Sequence, residues 1–446
     1  MKKWFLLLQL LLLAVVVSVI YWWPASPVWE RAIGHGRILG FDATSQRVMT
    51  ISSSNPSTRL SDLTIHRFDV TTGSEVDRKT FAGENNWWVC DCHLINNQTQ
   101  IFLAREFIDP SKYNPEQEAA GNWPIRPKTY ELLDAATFQR IAGPFPFEGQ
   151  RWPAFSPNGK WIWSILYGRG DITPTALIEA DTGRIVREFR PSSGCRPSHA
   201  AGFSPDGSAM AIQWIDHTNK QWSIEIVNLP DGKTRFVHTL PNGPWSVINH
   251  WADNRLYLET NTSVAPQCYR IGCSSLEVQA GRLGEPREEP SLTGFVDYRV
   301  NHLPIMSNWK FVGDMQIQLQ HGSLDNKPDW FNATLEWFDE KAGTSLRHPK
   351  RVPTMVRLSE RNTGRQIAEL RSTRLGYPWM IAVSPDCNYV ASIQQGYEPT
   401  GMGLLLWNAQ PGSRWPWAWG AGIGSVIVLR LIVKRLIRSR GIAVKV

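Results

Sequence analysis

A turn of fixed chemistry recurs along this chain and constrains it more than any other feature. It reads Phe155-Ser156-Pro157-Asn158-Gly159, then Phe203-Ser204-Pro205-Asp206-Gly207, and in altered form Val383-Ser384-Pro385-Asp386-Cys387. Proline presets φ for a turn, the Asn or Asp side chain caps it, and glycine takes the position with φ > 0. Apolar residues on both sides make each turn the joint of a β-hairpin.

The spacing extends the hairpin into a larger unit. The polar turn ending at Gly183 lies 28 residues beyond Phe155, that ending at Gly232 lies 29 beyond Phe203, and that ending at Gly412 lies 29 beyond Val383. Strand-like text fills the first gap, as Trp161–Leu166 and Ala176–Glu179. Each unit reads strand, Ser-Pro-Asp-Gly turn, strand, loop, strand, Thr-Gly turn, strand, which is a four-stranded antiparallel sheet. Related late turns occur at Phe68–Gly73, Leu133–Thr137 and Leu358–Gly364.

With these units the chain resembles the WD-repeat and related β-propeller families, whose period is ~40–45 residues. The resemblance covers residues 28–413 and implies an all-β fold, a β-propeller of four-stranded antiparallel blades. It implies nothing about activity. The Trp-Asp signature survives only as Trp407-Asn408, and no Gly-His opens each unit. First-to-second-strand turns near Phe41, Leu94, Phe155, Phe203, His250, Met306 and Val383 make seven blades the expected number, with six or eight left open. The 22 Trp suit such a fold, because rigid aromatics fill wedge-shaped space between sheets. The last unit runs out of strands at Gly412, so residues 28–34 are expected to supply its outer strand and close the ring.

Two apolar segments flank this region. Residues 4–23 are apolar except for Gln9, Ser18 and Tyr21, and at ~1.5 Å per residue would span a bilayer core. The Trp22-Trp23-Pro24 exit lacks the small residues of a signal-peptide cleavage site, which favours an uncleaved anchor. Residues 415–433 form a second expected span, interrupted by Arg430, with an amphipathic surface helix as the alternative. Lys2 and Lys3, in the stub 1–3, and the basic tail 434–446 place both termini in the cytoplasm and the propeller outside it, with the lipid bilayer as partner. The Ser-Pro-Asp-Gly turns then mark the membrane-facing side. The net charge of +7 belongs to these ends, the body being slightly negative, which argues against nucleic acid.

Candidate chemistry is sparse. Insertions at 105–128 and 324–354 fall on the side away from the expected membrane. The second carries Trp330, Phe331, Trp337, Phe338, Arg347, Lys350 and Arg351, a candidate protein-binding loop or a patch that packs onto the ring. Cys90-Asp91-Cys92-His93 lacks haem-attachment spacing, and as a strand it puts both cysteines on one face and the histidine on the other. Core packing is therefore preferred there to a metal. Cys268 and Cys273, in a turn-like stretch, are a candidate disulfide outside the cytoplasm. No hydrolase elbow, zinc-protease, phosphate-loop or dinucleotide motif occurs, and no cofactor is expected. The function expected is a non-enzymatic interaction or scaffolding platform for another protein. The alternatives are a lyase or glycan-processing enzyme with a site at the central channel, and a structural envelope component.

Overall fold

The computed structural model describes Gln9, Leu13 and residues 27–33, 36–54, 61–109, 111, 126–149, 153–166, 174–191, 195–216, 218–219, 221–240, 246–252, 254–265, 268–279, 281–288, 294–297, 309–312, 315–321, 354–360, 366–371, 377–397, 401–409, 423–428, 431 and 435. In chain order, β1 (Trp29–Ala32) precedes a first sheet of β2 (Gly36–Phe41), β3 (Arg47–Ser53), β4 (Leu63–Asp69) and β5 (Glu75–Phe81). The second comprises β6 (Trp87–Ile95), β7 (Gln100–Phe107), β8 (Lys128–Asp134) and β9 (Arg140–Pro146). The third is β10 (Ala154–Phe155), β11 (Trp161–Ile165), β12 (Thr175–Glu179) and β13 (Ile185–Phe189), and the fourth is β14 (Cys195–Phe203), β15 (Ala209–Asp216), β16 (Gln221–Asn228) and β17 (Thr234–Leu240).

The fifth sheet holds β18 (Ser246–Ala252), β19 (Arg255–Ala265), β20 (Cys268–Gln279) and β21 (Arg282–Leu283), with β22 (Arg287–Glu288) and β23 (Gly294–Asp297) also paired to β20. The sixth holds β24 (Trp309–Val312), β25 (Met315–His321), β26 (Thr354–Glu360) and β27 (Gln366–Arg371). Its first-to-second connection therefore follows Val312, later than the position near Met306 read from spacing. The last sheet runs β1, β30 (Gly401–Asn408), β29 (Tyr389–Tyr397), β28 (Tyr377–Val383), so the strand nearest the N-terminus is its outer strand, with Trp29 opposite Leu406.

The sheets stack into a ring, as a propeller does. Ile65 and Met49 of the first sheet pack on Leu103 of the second, and Phe102 and Tyr130 of the second pack on Ile162 of the third. Trp163 and Met210 share one apolar cluster, Ile224 and Leu256 another, and Leu358 and Trp407 a third. Ile38 and Phe68 of the first sheet pack on Leu404 and Leu406 of the last, which completes the circle. The first strand of each sheet is innermost, and the fourth is outermost. β5 shows the outer pattern, being exposed at every residue but Phe81.

Polar latches join neighbouring sheets at the carbonyls of their late turns. Buried Arg67 on β4 donates to Ala135 O at 3.1 Å and to Ala136 O in the second sheet, and grips Asp77 through both nitrogens of its fork. Tyr130 on β8 donates its hydroxyl to Ala180 O at 2.9 Å, and Arg187 on β13 donates to Gly232 O. At the seam Trp29 Nε1 donates to Val70 O at 2.8 Å and Arg31 Nε to Gly73 O at 2.9 Å. A buried donor without such a partner would cost ~1–3 kcal/mol.

Two expectations are corrected by this fold. Among the described residues no helix is long and apolar enough to cross a membrane, so the expected localisation, an anchored propeller with both termini cytoplasmic, is not supported. Segments 1–3, 4–23, 415–433 and 434–446 lie almost wholly outside the described residues; those described within them are helical at Gln9 and Leu13, over 423–428, and at Leu431 and Arg435. The second correction concerns Cys268 and Cys273. Both sit on β20 rather than in a turn. Five positions along an extended strand span ~16 Å, far beyond the Cα separation a disulfide bridges.

Candidate functional site

The recurring turns show how side chains hold the hairpins. Ser156 Oγ donates to Asn158 Oδ1 at 2.7 Å and accepts from Trp161 N at 2.9 Å. Ser204 repeats this with Asp206 at 2.6 Å and Ala209 N at 2.9 Å, and Ser384 with Asp386 at 2.6 Å and Tyr389 N at 2.8 Å. Pro157, Pro205 and Pro385 stand between the serine and the capping residue in each. Gly159 and Gly207 take φ of +67°, and Cys387 takes +58°. A Cβ at Gly159 would lie 2.4 Å from Asn96 Cβ, and one at Gly207 would lie 2.7 Å from Asn158 Nδ2, so consecutive turns touch around the ring. These residues perform structural work and bring no reactive groups together.

The insertion residues Trp330, Phe331, Trp337, Phe338, Arg347, Lys350 and Arg351 lie outside the described residues. β25 and β26 bracket them, which places 322–353 between the second and third strands of the sixth sheet. The insertion at 105–128 is described at its ends only.

The cluster with chemical potential lies on the innermost strands. Arg37 of β2 reaches across to β6, where its Nη2 donates to Asp91 Oδ1 and Cys92 O, both at 3.0 Å. His93 Nε2 stands 2.9 Å from the same Asp91 oxygen. Its ring also lies 5.3 Å from that of Phe155 on β10, so the network spans the inner strands of three sheets. Burial pushes the Asp91 carboxyl up, but His93 and Arg37 together outweigh it and hold the group well below the usual carboxylate range. Burial pushes the Cys92 thiol up to about 12 against the pull of Arg37, which leaves it a packing residue rather than a nucleophile. The Arg37 side chain stays 32% exposed.

Sequence reasoning singled out Cys90-Asp91-Cys92-His93 for its cysteines, and the structure uses its Asp and His. The reason is a β-bulge between Val89 and Asp91. Cys90 occupies the unpaired position and is exposed, while Cys92 is buried, so the two do not share a face. A bulge re-aims every later side chain, and alternation cannot foresee it. Among the described residues no group of three or more His, Cys, Asp or Glu side chains is arranged to hold a metal.

No family model and no curated protein matches this sequence. Solved structures do match its fold. A prolyl endopeptidase superposes with TM-score 0.50 at 10% identity, covering 91% of this chain and 51% of its own. Prolyl oligopeptidase B from Galerina marginata superposes with TM-score 0.51 at 10% identity, covering 90% of this chain and 52% of its own. The β-propeller domain of the Trilobed protease from Pyrococcus furiosus gives TM-score 0.44 at 8% identity, covering 74% and 82%. The chain spans about half the length of the first two. These likenesses run against the expected non-enzymatic scaffold and the judgement that the chain is no enzyme, since the neighbours are peptidases. At such low identity what is shared is the fold, and the propeller architecture is its conclusion.

Proposed function

We propose that this chain is the propeller of a peptidase-type enzyme and that its innermost strands handle peptide. The observation that carries the reading is the Arg37–Asp91–His93 network, an ordered polar cluster on inner strands that joins the first two sheets. Asp91 holds the guanidinium in place, and a partly exposed arginine side chain is suited to a peptide carbonyl or carboxylate. Fold likeness to a prolyl endopeptidase supports the class of substrate. Seven sheets in a closed ring support a propeller of seven blades. The insertion at 324–354, with its aromatic and basic residues, is a further surface for the same peptide.

The test is hydrolysis and binding of a panel of fluorogenic prolyl peptides by the full chain. Cleavage or saturable binding is expected, with Arg37→Ala weakening it about tenfold, the loss of one charge-assisted hydrogen bond. Absence of both cleavage and binding across the panel would overturn the proposal.

A further inference from the structure

Away from the inner strands, a second arrangement of groups lies on the face of the first sheet that meets the last. Ser52 Oγ on β3 is 2.8 Å from His66 Nε2 on β4. His66 Nδ1 is 3.2 Å from Glu75 Oε1 on β5. The three residues come from three neighbouring strands, and the pairing registers fix their order. Ser52 stands opposite Thr64, His66 opposite Arg78, and Phe68 opposite Glu75. A single tautomer satisfies both contacts: Nδ1–H donates to the glutamate, and Nε2 accepts from the serine hydroxyl.

We propose that Ser52 is an activated nucleophile, with His66 as its base and Glu75 as the positioning residue, and that it takes an acyl group from an ester or activated amide. Nucleophile, base and a third group that orients the base are the signature of nucleophilic catalysis, recognised by geometry and not by order in the chain. The surroundings suit the step. The Ser52 side is not sealed, because its partner across β2 and β3 is Gly36, which brings no side chain over the hydroxyl. Gly36 N–H donates to Met402 Sδ at 3.4 Å, a weak acceptor that an acyl oxygen would displace. Ser52 and His66 are half-buried, and Glu75 is more open, its side chain 38% exposed. The His66 ring is stacked near Phe68, with centroids 6.2 Å apart, and Phe68 in turn lies beside Trp29 of the closing strand.

In the step, Ser52 Oγ bonds to the acyl carbon, and the hydroxyl proton passes to His66 Nε2. Glu75 stabilises the imidazolium. The bond from carbon to the leaving group then breaks, and the proton moves from Nε2 to that group. Water repeats the sequence, with His66 taking its proton, and releases the acid and free Ser52. The inference does not rest on the inner-strand cluster.

The experiment treats the full chain with p-nitrophenyl acetate and, separately, with a fluorophosphonate, and maps the adduct by peptide mass spectrometry. The expected result is a burst of about one p-nitrophenolate per chain and an adduct on Ser52. Ser52→Ala should abolish both. Glu75→Gln should slow acylation roughly 10- to 100-fold in kcat while leaving KM for the ester unchanged, and Glu75→Asp should recover part of the rate. An adduct elsewhere, no adduct at all, or a Glu75→Gln acylation rate equal to the parent's would overturn the proposal. Mapping on the unsubstituted chain decides the matter even where Ser52→Ala fails to fold.

Discussion

Single residues hold this ring together where its apolar contacts meet backbone carbonyls. Arg67 is the clearest, being 4% exposed and committed at once to Asp77, Ala135 O and Ala136 O, with its guanidinium 4.2 Å over the Phe138 ring. Arg67→Ala should cost about 2–3 kcal/mol in urea unfolding, because the buried Ala135 carbonyl loses a charged donor and the Phe138 ring loses its cation, while the more open Asp77 regains water. Arg67→Lys should recover only part of that, since an ammonium cannot reproduce the planar fork. At the turns, Gly159→Ala should destabilise by about 1–2 kcal/mol, combining a left-handed backbone with a Cβ driven onto Asn96. Cys387 already carries the left-handed strain, at φ +58°. Cys387→Gly should relieve about 1 kcal/mol of it, less the contact its side chain makes with the core of the last two sheets. Thermal melts of the two turn variants check both signs.

Among the strands, β1 has the largest consequence for its size. Its ladder with β30 covers the row Leu404, Leu405 and Leu406, and its Trp29 reaches the first sheet. Without it, β30 would present an open, apolar edge, the kind that pairs with other chains. Trp29→Ala should cost about 2–3 kcal/mol, the lost aromatic burial plus the orphaned Val70 carbonyl. It should also raise light scattering near the unfolding midpoint. Equal melts and scattering for variant and parent would show that β1 is not the closing element its pairing indicates.

The whole molecule has an acid limit written into its turns. Hydrogen bonds from Ser204 and from the Ser208 N–H hold Asp206 at about 2, and those from Thr71 and Thr72 hold Asp69 at about 2, against an ordinary value of 3.8. In Asp134 and Asp386 burial pushes upward, but hydrogen bonds from Thr137 and from Ser384 outweigh it and the net shift is downward. Each group is depressed in the folded state. Its contribution to stability is therefore complete above the unfolded value, near 4, and is lost as the pH falls through the folded value, about 2 for Asp69 and Asp206. The carboxylates belong to four different sheets joined in one ring, so their losses add. The urea midpoint should be level above about pH 5 and fall steadily between about pH 4 and 2. Asp206→Asn should flatten part of that fall.

Much of this architecture was legible in one dimension. Ser-Pro-Asp-Gly and Thr-Gly turns at fixed spacing specify four antiparallel strands per unit, because turn chemistry and a period of two are local properties of the backbone. Reactive groups were not legible in the same way. Cys90-Asp91-Cys92-His93 misled because one bulge reversed its faces, and Arg37 meets Asp91 only because two sheets stack. Ser52, His66 and Glu75 lie on three strands whose registers depend on loop length and packing, so alternation alone could not pair them. By itself the sequence determined the strands, their joints and the kind of sheet they form, since these follow from φ preferences and side-chain alternation along the chain. Only the tertiary structure decided which side chains meet across strands and sheets, because those distances are set by register, bulges and the packing of one sheet on the next.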